Sequence, residues 1–391
     1  MKRIYLDNAA TTMLSGEVLQ AMMPYFTDVY GNSSSLHSYG REAVSAVDNA
    51  RDIIARTINA KSNEIYFTSG GTEANNWALR GIASANVKKG NHIIVSQIEH
   101  HSIIDICKQL AKEGFEITYL PVDASGLVSI SELLHEIRPT TILVSVMAVN
   151  NEVGTIQNIR AISEIVKFYN VNFHVDAVQG LGVMPLDVEA LGIDLMSLSA
   201  HKIHGPKGAG ALYVRNGVNI NPFMIGGEQE HSKRGGTQNV PAIVGFGKAC
   251  EINQRDFEFR DKKMFELSTY FISKIEYEIP DIKINGHVHQ KANGIVSVSF
   301  RGVEGENLIM MLDMQGIAVS TGSACASGSL EKSHVLTAMG LTNEEIRGTV
   351  RFSFDINITR DDIDYVVRVL SELVAKLRKT SPVKAKAKKE N

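Results

Sequence analysis

The sequence predicts an α/β protein: a large domain whose mostly parallel sheet lies between helices, and a smaller α/β or α+β domain after it. Three observations predict this. From about residue 43 to 215, helical and strand periodicities alternate along the chain. The strand candidates are short and apolar nearly throughout, as in His92-Ile93-Ile94-Val95-Ser96, which suits strands covered on both faces. Helical patterns lie between most of them, as crossover connections between parallel strands require.

In chain order, Val44, Val47, Ile54 and Ile58 recur at helical spacing before the strand Ile65–Thr68. After the strand His92–Ser96, the residues Ile103, Ile104, Cys107, Leu110 and Ala111 form a helical stripe. Further strands are expected at Glu116–Leu120, 141–146, Asn172–Asp176, Leu195–Ser199 and Gly210–Val214, with a helical stripe at Ile159, Ile162, Ile165 and Val166. A long linking helix is expected over 256–279. It is followed by strand 294–300, helix 305–314, strand 317–319, helix 330–339, strand 350–354 and helix 360–377. The expected domains are 1–15 as an N-terminal arm of the small domain, 16–255 as the large domain, 256–378 as the small domain, and 379–391 as a disordered basic tail.

Composition narrows the class. The chain has 391 residues, 44% hydrophobic and 21% charged, long enough to bury an ample core without disulfides. A formal charge of −3 leaves no global field for nucleic acid or a membrane surface, although the last sixteen residues hold seven basic side chains against Glu390. Cys107, Cys250 and Cys325 lie far apart with no CxxC pair, so neither a disulfide framework nor a zinc site is indicated. No apolar run approaches the ~18 residues that span a bilayer, and the N-terminus lacks a signal peptide's apolar stretch. A cytoplasmic protein is expected, with no nucleic-acid or membrane partner.

Three stretches fall where strands give way to helices, and in open parallel sheets ligands bind beyond the carboxyl ends of strands. Thr68-Ser69-Gly70-Gly71-Thr72-Glu73 offers a glycine turn and a helix N-terminus suited to an anion, with Thr72 able to cap the helix; alone it also reads as a plain strand–turn–helix junction. His174-Val175-Asp176-Ala177-Val178-Gln179 puts an acid at a buried strand's end, where it needs a partner or serves as a cap. Ser199-Ala200-His201-Lys202-Ile203-His204-Gly205-Pro206 places a lysine directly after a buried strand, which packing does not justify. Buried amines lose charge readily, as a Schiff-base lysine must. Together these are the parts of a pyridoxal 5′-phosphate (PLP) site: lysine for the aldehyde, acid for the pyridinium nitrogen, helix N-terminus for the phosphate.

From Tyr5-Leu-Asp-Asn-Ala-Ala-Thr-Thr12 to about Phe354 the chain resembles the cysteine desulfurases of the NifS and IscS type, fold-type I PLP enzymes of the class V aminotransferase group. The resemblance is carried by Gly31-Asn-Ser-Ser34, Thr68-Ser-Gly-Gly-Thr-Glu-Ala-Asn-Asn76, Glu99-His100, Asn150-Asn-Glu-Val-Gly154, Asp176-Ala-Val-Gln179 and Ser199-Ala-His-Lys202. Arg234-Gly-Gly-Thr-Gln-Asn-Val240 and Ser320-Thr-Gly-Ser-Ala-Cys-Ala-Ser-Gly328 complete it. It implies that Lys202 binds the cofactor and moves the substrate α-proton, and that Asp176 keeps the pyridine nitrogen protonated. Gln179 and Asn151 would meet the phenolate side of the ring. Gly71, Thr72, Ser199 and His201 would grip the phosphate, joined by Thr237 of a neighbouring subunit in a homodimer. His100 would stack on the ring and serve in proton transfer, although a histidine in that run also suits a capping position. Arg351, with Asn151, would bind the substrate carboxylate.

The resemblance makes Cys325 the residue that decides the reaction. Small residues surround it, so its loop is expected to be mobile and its thiol accessible, whereas Cys107 and Cys250 read as packing cysteines. L-cysteine would give L-alanine and a persulfide on Cys325. The sulfur would pass to an acceptor protein such as an iron–sulfur scaffold, with which Cys325 would share a cluster as a metal ligand. The chain departs from the family's spelling at Phe354-Asp355, where Leu-Gly is expected, and in its basic tail, while His204 follows the nitrogen-fixation-type spelling. A PLP lyase or aminotransferase, such as a selenocysteine lyase, would share Lys202 and Asp176 without needing Cys325. A protein kept only for binding would be expected to have lost one of those two.

Overall fold

The computed structural model describes residues 2–321 and 332–380. Its strands, in chain order, are β1 (Ile4–Tyr5), β2 (Ile65–Thr68), β3 (His92–Ser96), β4 (Glu116–Leu120), β5 (Thr141–Met147), β6 (Asn172–Asp176), β7 (Leu195–Ser199), β8 (Gly210–Val214), β9 (Ile282–Asn285), β10 (Ile295–Phe300), β11 (Ile317–Ala318) and β12 (Thr349–Ser353). Seven form one sheet in the order β2-β8-β7-β6-β5-β3-β4. The run β7-β6-β5-β3-β4 is parallel, and β8 is antiparallel to both β7 and β2. The sheet is thus the mostly parallel one that the alternating periods predict. β8 reverses because a short turn, with no crossover helix, joins it to β7.

Alternation within the strands builds a layer on each face. Ile94 joins the cluster that includes Phe173, Val175 and Phe246, whereas Ile93 and Val95 join the one around Trp77, Ile103 and Cys107. Helices Ser38–Thr57 and Val240–Glu278 cover the first face, and helices Gly71–Ala85 and His101–Lys112 the second. Strands β3, β5 and β7 are buried along their whole length, as their unbroken apolar runs require.

The linking helix starts sixteen residues earlier than the sequence suggests, at Val240, so position 256 falls inside it. Asn239 caps it by accepting from the Ala242 N–H, and a proline stands in its first turn. Gly245 and Gly247 obscured this start, since glycine weakens a helical pattern. The packing requires them: a Cβ at Gly245 would lie 2.6 Å from Met22 Sδ, and one at Gly247 2.9 Å from the Ala50 backbone.

The far end of that helix, at Leu267, Phe271 and Ile275, enters a separate core with Val298, Phe352 and Leu370. There β12-β10-β9 form a three-stranded antiparallel sheet packed with helices Gly305–Asp313 and Arg360–Thr380, the α+β alternative of the two expected. The N-terminal arm reaches the same core: β1 pairs in parallel with β11, Ile4 opposite Ile317, and Leu6 is fully buried. The helix expected over 330–339 is present as His334–Ala338, residues 330 and 331 lying outside the described residues.

Candidate active site

The carboxyl ends of β2, β3, β5, β6 and β7 all open at one edge of the sheet. Gly70 ends the β2 turn with φ 154° and N-caps helix Gly71–Ala85. A glycine has no side chain to cap with, so the first N–H groups of that helix stay open to an anion. Thr72 is therefore a residue of the first turn and not the cap the sequence suggested. At Gly71 a Cβ would lie 2.5 Å from Val178 Cγ2, so only glycine lets this turn approach the residues after Asp176. Behind it, Arg234 Nε and Nη2 grip Glu73 at 2.8 and 3.1 Å. Burial pushes the Glu73 carboxyl up, but Arg234 and Ser69 hold it below the usual range.

At the end of β6, Asp176 Oδ1 accepts from the Val178 N–H at 3.0 Å, and Oδ2 accepts from Asn75 Nδ2 at 2.7 Å. The same Asn75 nitrogen donates to Ser102 Oγ at 2.8 Å. Ser102 in turn donates its backbone N–H to His100 Nδ1 at 3.1 Å, so His100 caps helix His101–Lys112 as well as facing the site. Burial lowers the His100 pKa, with Lys202, His101 and His334 acting in the same sense and Asp176 against it. Glu99, one residue earlier, is buried; its Oε1 accepts from Ser96 Oγ and from the Met147 N–H at 2.8 Å, and its Oε2 has no partner among the described residues. Burial, with the nearby Asp176 charge, pushes this carboxyl up to about 8.

Beyond β7, a single turn over Ala200–Lys202 carries Lys202 against the N-terminal arm, where its Nζ donates to the carbonyls of Ala9 and Ala10, the latter at 2.8 Å. Gln179 Nε2 donates to the same Ala9 carbonyl at 2.7 Å. Burial and the Lys202 and Lys207 charges bring His201 down to about 4, so its ring is neutral near pH 7. Ser199 Oγ is buried with no partner among the described residues. On β12, Arg351 is 1% exposed; Nη1 donates to the Asn151 carbonyl and Nη2 to Asp7 Oδ1, both at 2.8 Å, and Nε has no partner among the described residues.

These groups line one cavity of about 310 Å³. It gathers Gly71, Thr72, His100, Asn151, Asp176, Gln179, Ser199, His201, Lys202 and Arg351. Thr237 is exposed and absent from its wall. Cys325, expected as nucleophile and metal ligand, lies outside the described residues. Cys107 and Cys250 are both free and buried, and burial pushes the Cys107 thiol up to about 12 and Cys250 up as well. Asn75, Glu99, Ser102 and Glu152 also line the cavity and were missed in the sequence. For Glu99 a signal existed: a carboxyl three residues past the strand His92–Ser96, whose centre Ile93-Ile94-Val95 is apolar. The departure at Asp355 meets His204, whose Nε2 lies 3.4 Å from Asp355 Oδ1 with Arg260 Nη2 against both.

The cavity suits PLP on its own chemistry. The uncapped helix N-terminus and the orphaned Ser199 hydroxyl provide donors for a phosphate, Asp176 an anion for a ring nitrogen, and Lys202 an amine for an aldehyde. The aminotransferase class-V family model matches residues 4–366, and the chain belongs to that family of PLP-dependent enzymes. Within it the chain is one of the cysteine desulfurases. It is 48% identical to cysteine desulfurase IscS of Dictyoglomus turgidum over 98% of both chains, and 49% identical to that of Methanosarcina thermophila over 98% of this chain and 95% of the other. Among solved structures, a NifS-like protein superposes with a TM-score of 0.91 at 38% identity, covering 96% of this chain and all of the other. SspA in complex with cysteine superposes with a TM-score of 0.81 at 36% identity, over 92% of this chain and all of SspA.

Proposed function

We propose that this cavity is where L-cysteine gives up its sulfur, and that the accepting group is the Cys325 thiolate. The observation that carries the reading is the meeting of Lys202, Asp176, His100 and Arg351 around one cavity with phosphate donors at its floor. Bound there through Lys202, PLP supplies an electron sink for the substrate's α-carbon. Asp176 holds the ring nitrogen protonated, Gln179 and Asn151 position the ring's oxygen side, and His201, Ser199, Thr72 and Gly71 hold the phosphate. Arg351 binds the substrate carboxylate through the N–H groups that Asp7 and Asn151 leave over. Lys202 moves the α-proton and His100 hydrogen-bonds or protonates the reacting group. Cys325 attacks the substrate sulfur: an S–S bond forms, the C–S bond breaks, and its electron pair stays on carbon, which takes a proton to become alanine. The persulfide then passes to an acceptor protein, for which an iron–sulfur scaffold sharing a cluster with Cys325 is our choice.

The working unit is a homodimer in the cytoplasm. Thr237 is exposed and absent from its own cavity's wall, and just before it Arg234 and Gly235 pair with Met224, whose neighbour Ile225 is 95% exposed. A second copy covering these residues would bring Thr237 to the partner's phosphate site. We divide each subunit into a large domain, a small domain that includes the N-terminal arm, and a basic tail over 379–391. The test is sulfide and alanine release from L-cysteine under reductant, with mass spectrometry of the enzyme's peptides after one turnover. Equimolar alanine and an added sulfur on Cys325 are expected; turnover in a Cys325→Ala variant overturns the assignment. A monomer at micromolar concentration by sedimentation overturns the shared site.

A further inference from the structure

We propose that Asn75 and Ser102 are positioning residues that wire His100 to Asp176 and hold the neutral His100 ring with its proton on Nε2. The inference deepens the reading of the cavity as a PLP site, and rests on that reading for its mechanistic meaning.

The polarity of the chain of hydrogen bonds can be followed atom by atom. A backbone N–H only donates, so the Ser102 N–H at 3.1 Å makes His100 Nδ1 an acceptor. At the other end, Asp176 Oδ2 lies 2.7 Å from the Asn75 amide. A carboxylate only accepts, so the NH2 of Asn75 faces it; the reversed amide would set two oxygens against each other. The same NH2 reaches Ser102 Oγ at 2.8 Å, which makes that oxygen an acceptor and turns its own proton away from Asn75. His100 Nδ1 stands 2.9 Å from Ser102 Oγ and receives that proton. The Asp176 charge thus orients Asn75, Asn75 orients the Ser102 hydroxyl, and two donors converge on Nδ1. A neutral imidazole with Nδ1 accepting carries its hydrogen on Nε2.

Two features show that the site imposes this arrangement. Asn75 is 1% exposed and its Oδ1 has no partner among the described residues, while its NH2 serves two acceptors. Burial also disfavours the charged His100 ring, so the neutral form that the wiring describes is the resting one. Among the described residues, the charged and titratable groups acting on His100 are Asp176, Lys202, His101 and His334; of these only Asp176 favours a positive ring. The consequence for the reaction is a direction. Neutral His100 offers a proton from Nε2 and cannot accept one there, so it serves the site as donor and not as base.

The test is nitrogen-15 NMR of full-length protein carrying labelled histidine, with PLP bound and after its removal, His100 being assigned by the signal lost in His100→Gln. Nitrogen shifts separate a protonated from an accepting ring nitrogen without any turnover. An accepting Nδ1 and a protonated Nε2 are expected in both forms, because residues of the chain alone set them. Ser102→Ala and Asn75→Ala each remove a device that favours the neutral ring, so each should raise the proton affinity of His100 at least about threefold. A proton on Nδ1 in the unsubstituted protein, or unchanged proton affinity in both variants, overturns the proposal. Failure to take up PLP overturns the cofactor reading instead and leaves the tautomer result standing. Ser102→Ala keeps the backbone donor and removes one atom, so the comparison survives if Asn75→Ala fails to fold.

Discussion

Arg351 Nη2 donates to Asp7 Oδ1 at 2.8 Å, joining the edge strand of the small sheet to the N-terminal arm whose next carbonyls, at Ala9 and Ala10, hold Lys202. The arm thus fixes two site residues at once, one from each core. The guanidinium is nearly all buried, and its charge is offset mainly by this carboxylate, which is itself largely covered.

Asp7→Ala should leave that charge unpaired and cost about 2–3 kcal/mol of stability, below the usual loss for a fully buried pair because Asp7 keeps some solvent contact. Urea unfolding measures it. Affinity for cysteine should fall along with stability, since Arg351 loses the contact that aims it. Unchanged stability would show that the pair does no such work.

Lys202→Ala should remove the visible absorption band of bound PLP and abolish sulfide release. The substitution deletes the amine while the Ala9 carbonyl keeps the Gln179 donor and Ala10 still lines the cavity, so folding should survive. A variant that keeps the band and full turnover is incompatible with the role given to Lys202.

Asp176→Ala should bind PLP weakly and turn over at least ~100-fold slower, because a charge-stabilising group of this kind contributes ~3 kcal/mol or more. It also releases Asn75, whose NH2 then faces an apolar methyl. Kinetics equal to the parent's would refute the assignment.

Glu99 gives a pH signature. Folding raises its pKa from 4.5 to about 8, chiefly through burial. Between those values the folded protein keeps a proton that the unfolded chain has lost, so this group lowers stability as pH rises through the window. Glu99→Gln removes the dependence. The variant should gain on the parent as pH goes from 5 to 8, by up to about 4 kcal/mol in urea unfolding. A difference that does not change with pH removes Glu99 as the source.

Which of these residues stood out in the sequence follows from how far their setting departs from ordinary packing. Most of β2 through β8 were legible as largely apolar runs bounded by turns, and Lys202 because a lysine directly after such a run has no packing reason. The start of the helix at Val240 was obscured by Gly245 and Gly247, whose reason lies in two other helices. Asn75 and Ser102 were illegible for a different cause. Each is a small polar residue on an amphipathic helix, and what singles them out is Asn75 joining Ser102 to Asp176, residues far from it in the chain. No local pattern encodes such a meeting. Thr237 and Cys325 were named only through the family resemblance, and no wall of the described cavity contains either.

The remaining prediction separates a desulfurase from other PLP enzymes by asking which thiol receives the sulfur. A thiol is a nucleophile as thiolate, so burial decides against Cys107 and Cys250: both are inaccessible, and Cys107, pushed up to about 12, is protonated at neutral pH. Both lie in apolar cores, Cys107 with Ile103, Leu110 and Trp77, which marks packing as their work. Cys107→Ala and Cys250→Ala should therefore stay active and lose about 1–2 kcal/mol through the small cavities left. Cys325→Ala should keep the colour of bound PLP and still bind cysteine, yet release almost no sulfide or alanine. Peptide mass spectrometry after one turnover should find the extra sulfur on Cys325 alone. Sulfur on Cys107 or Cys250, or normal turnover without Cys325, would leave the cavity a PLP site but take the sulfur-transfer step away from it.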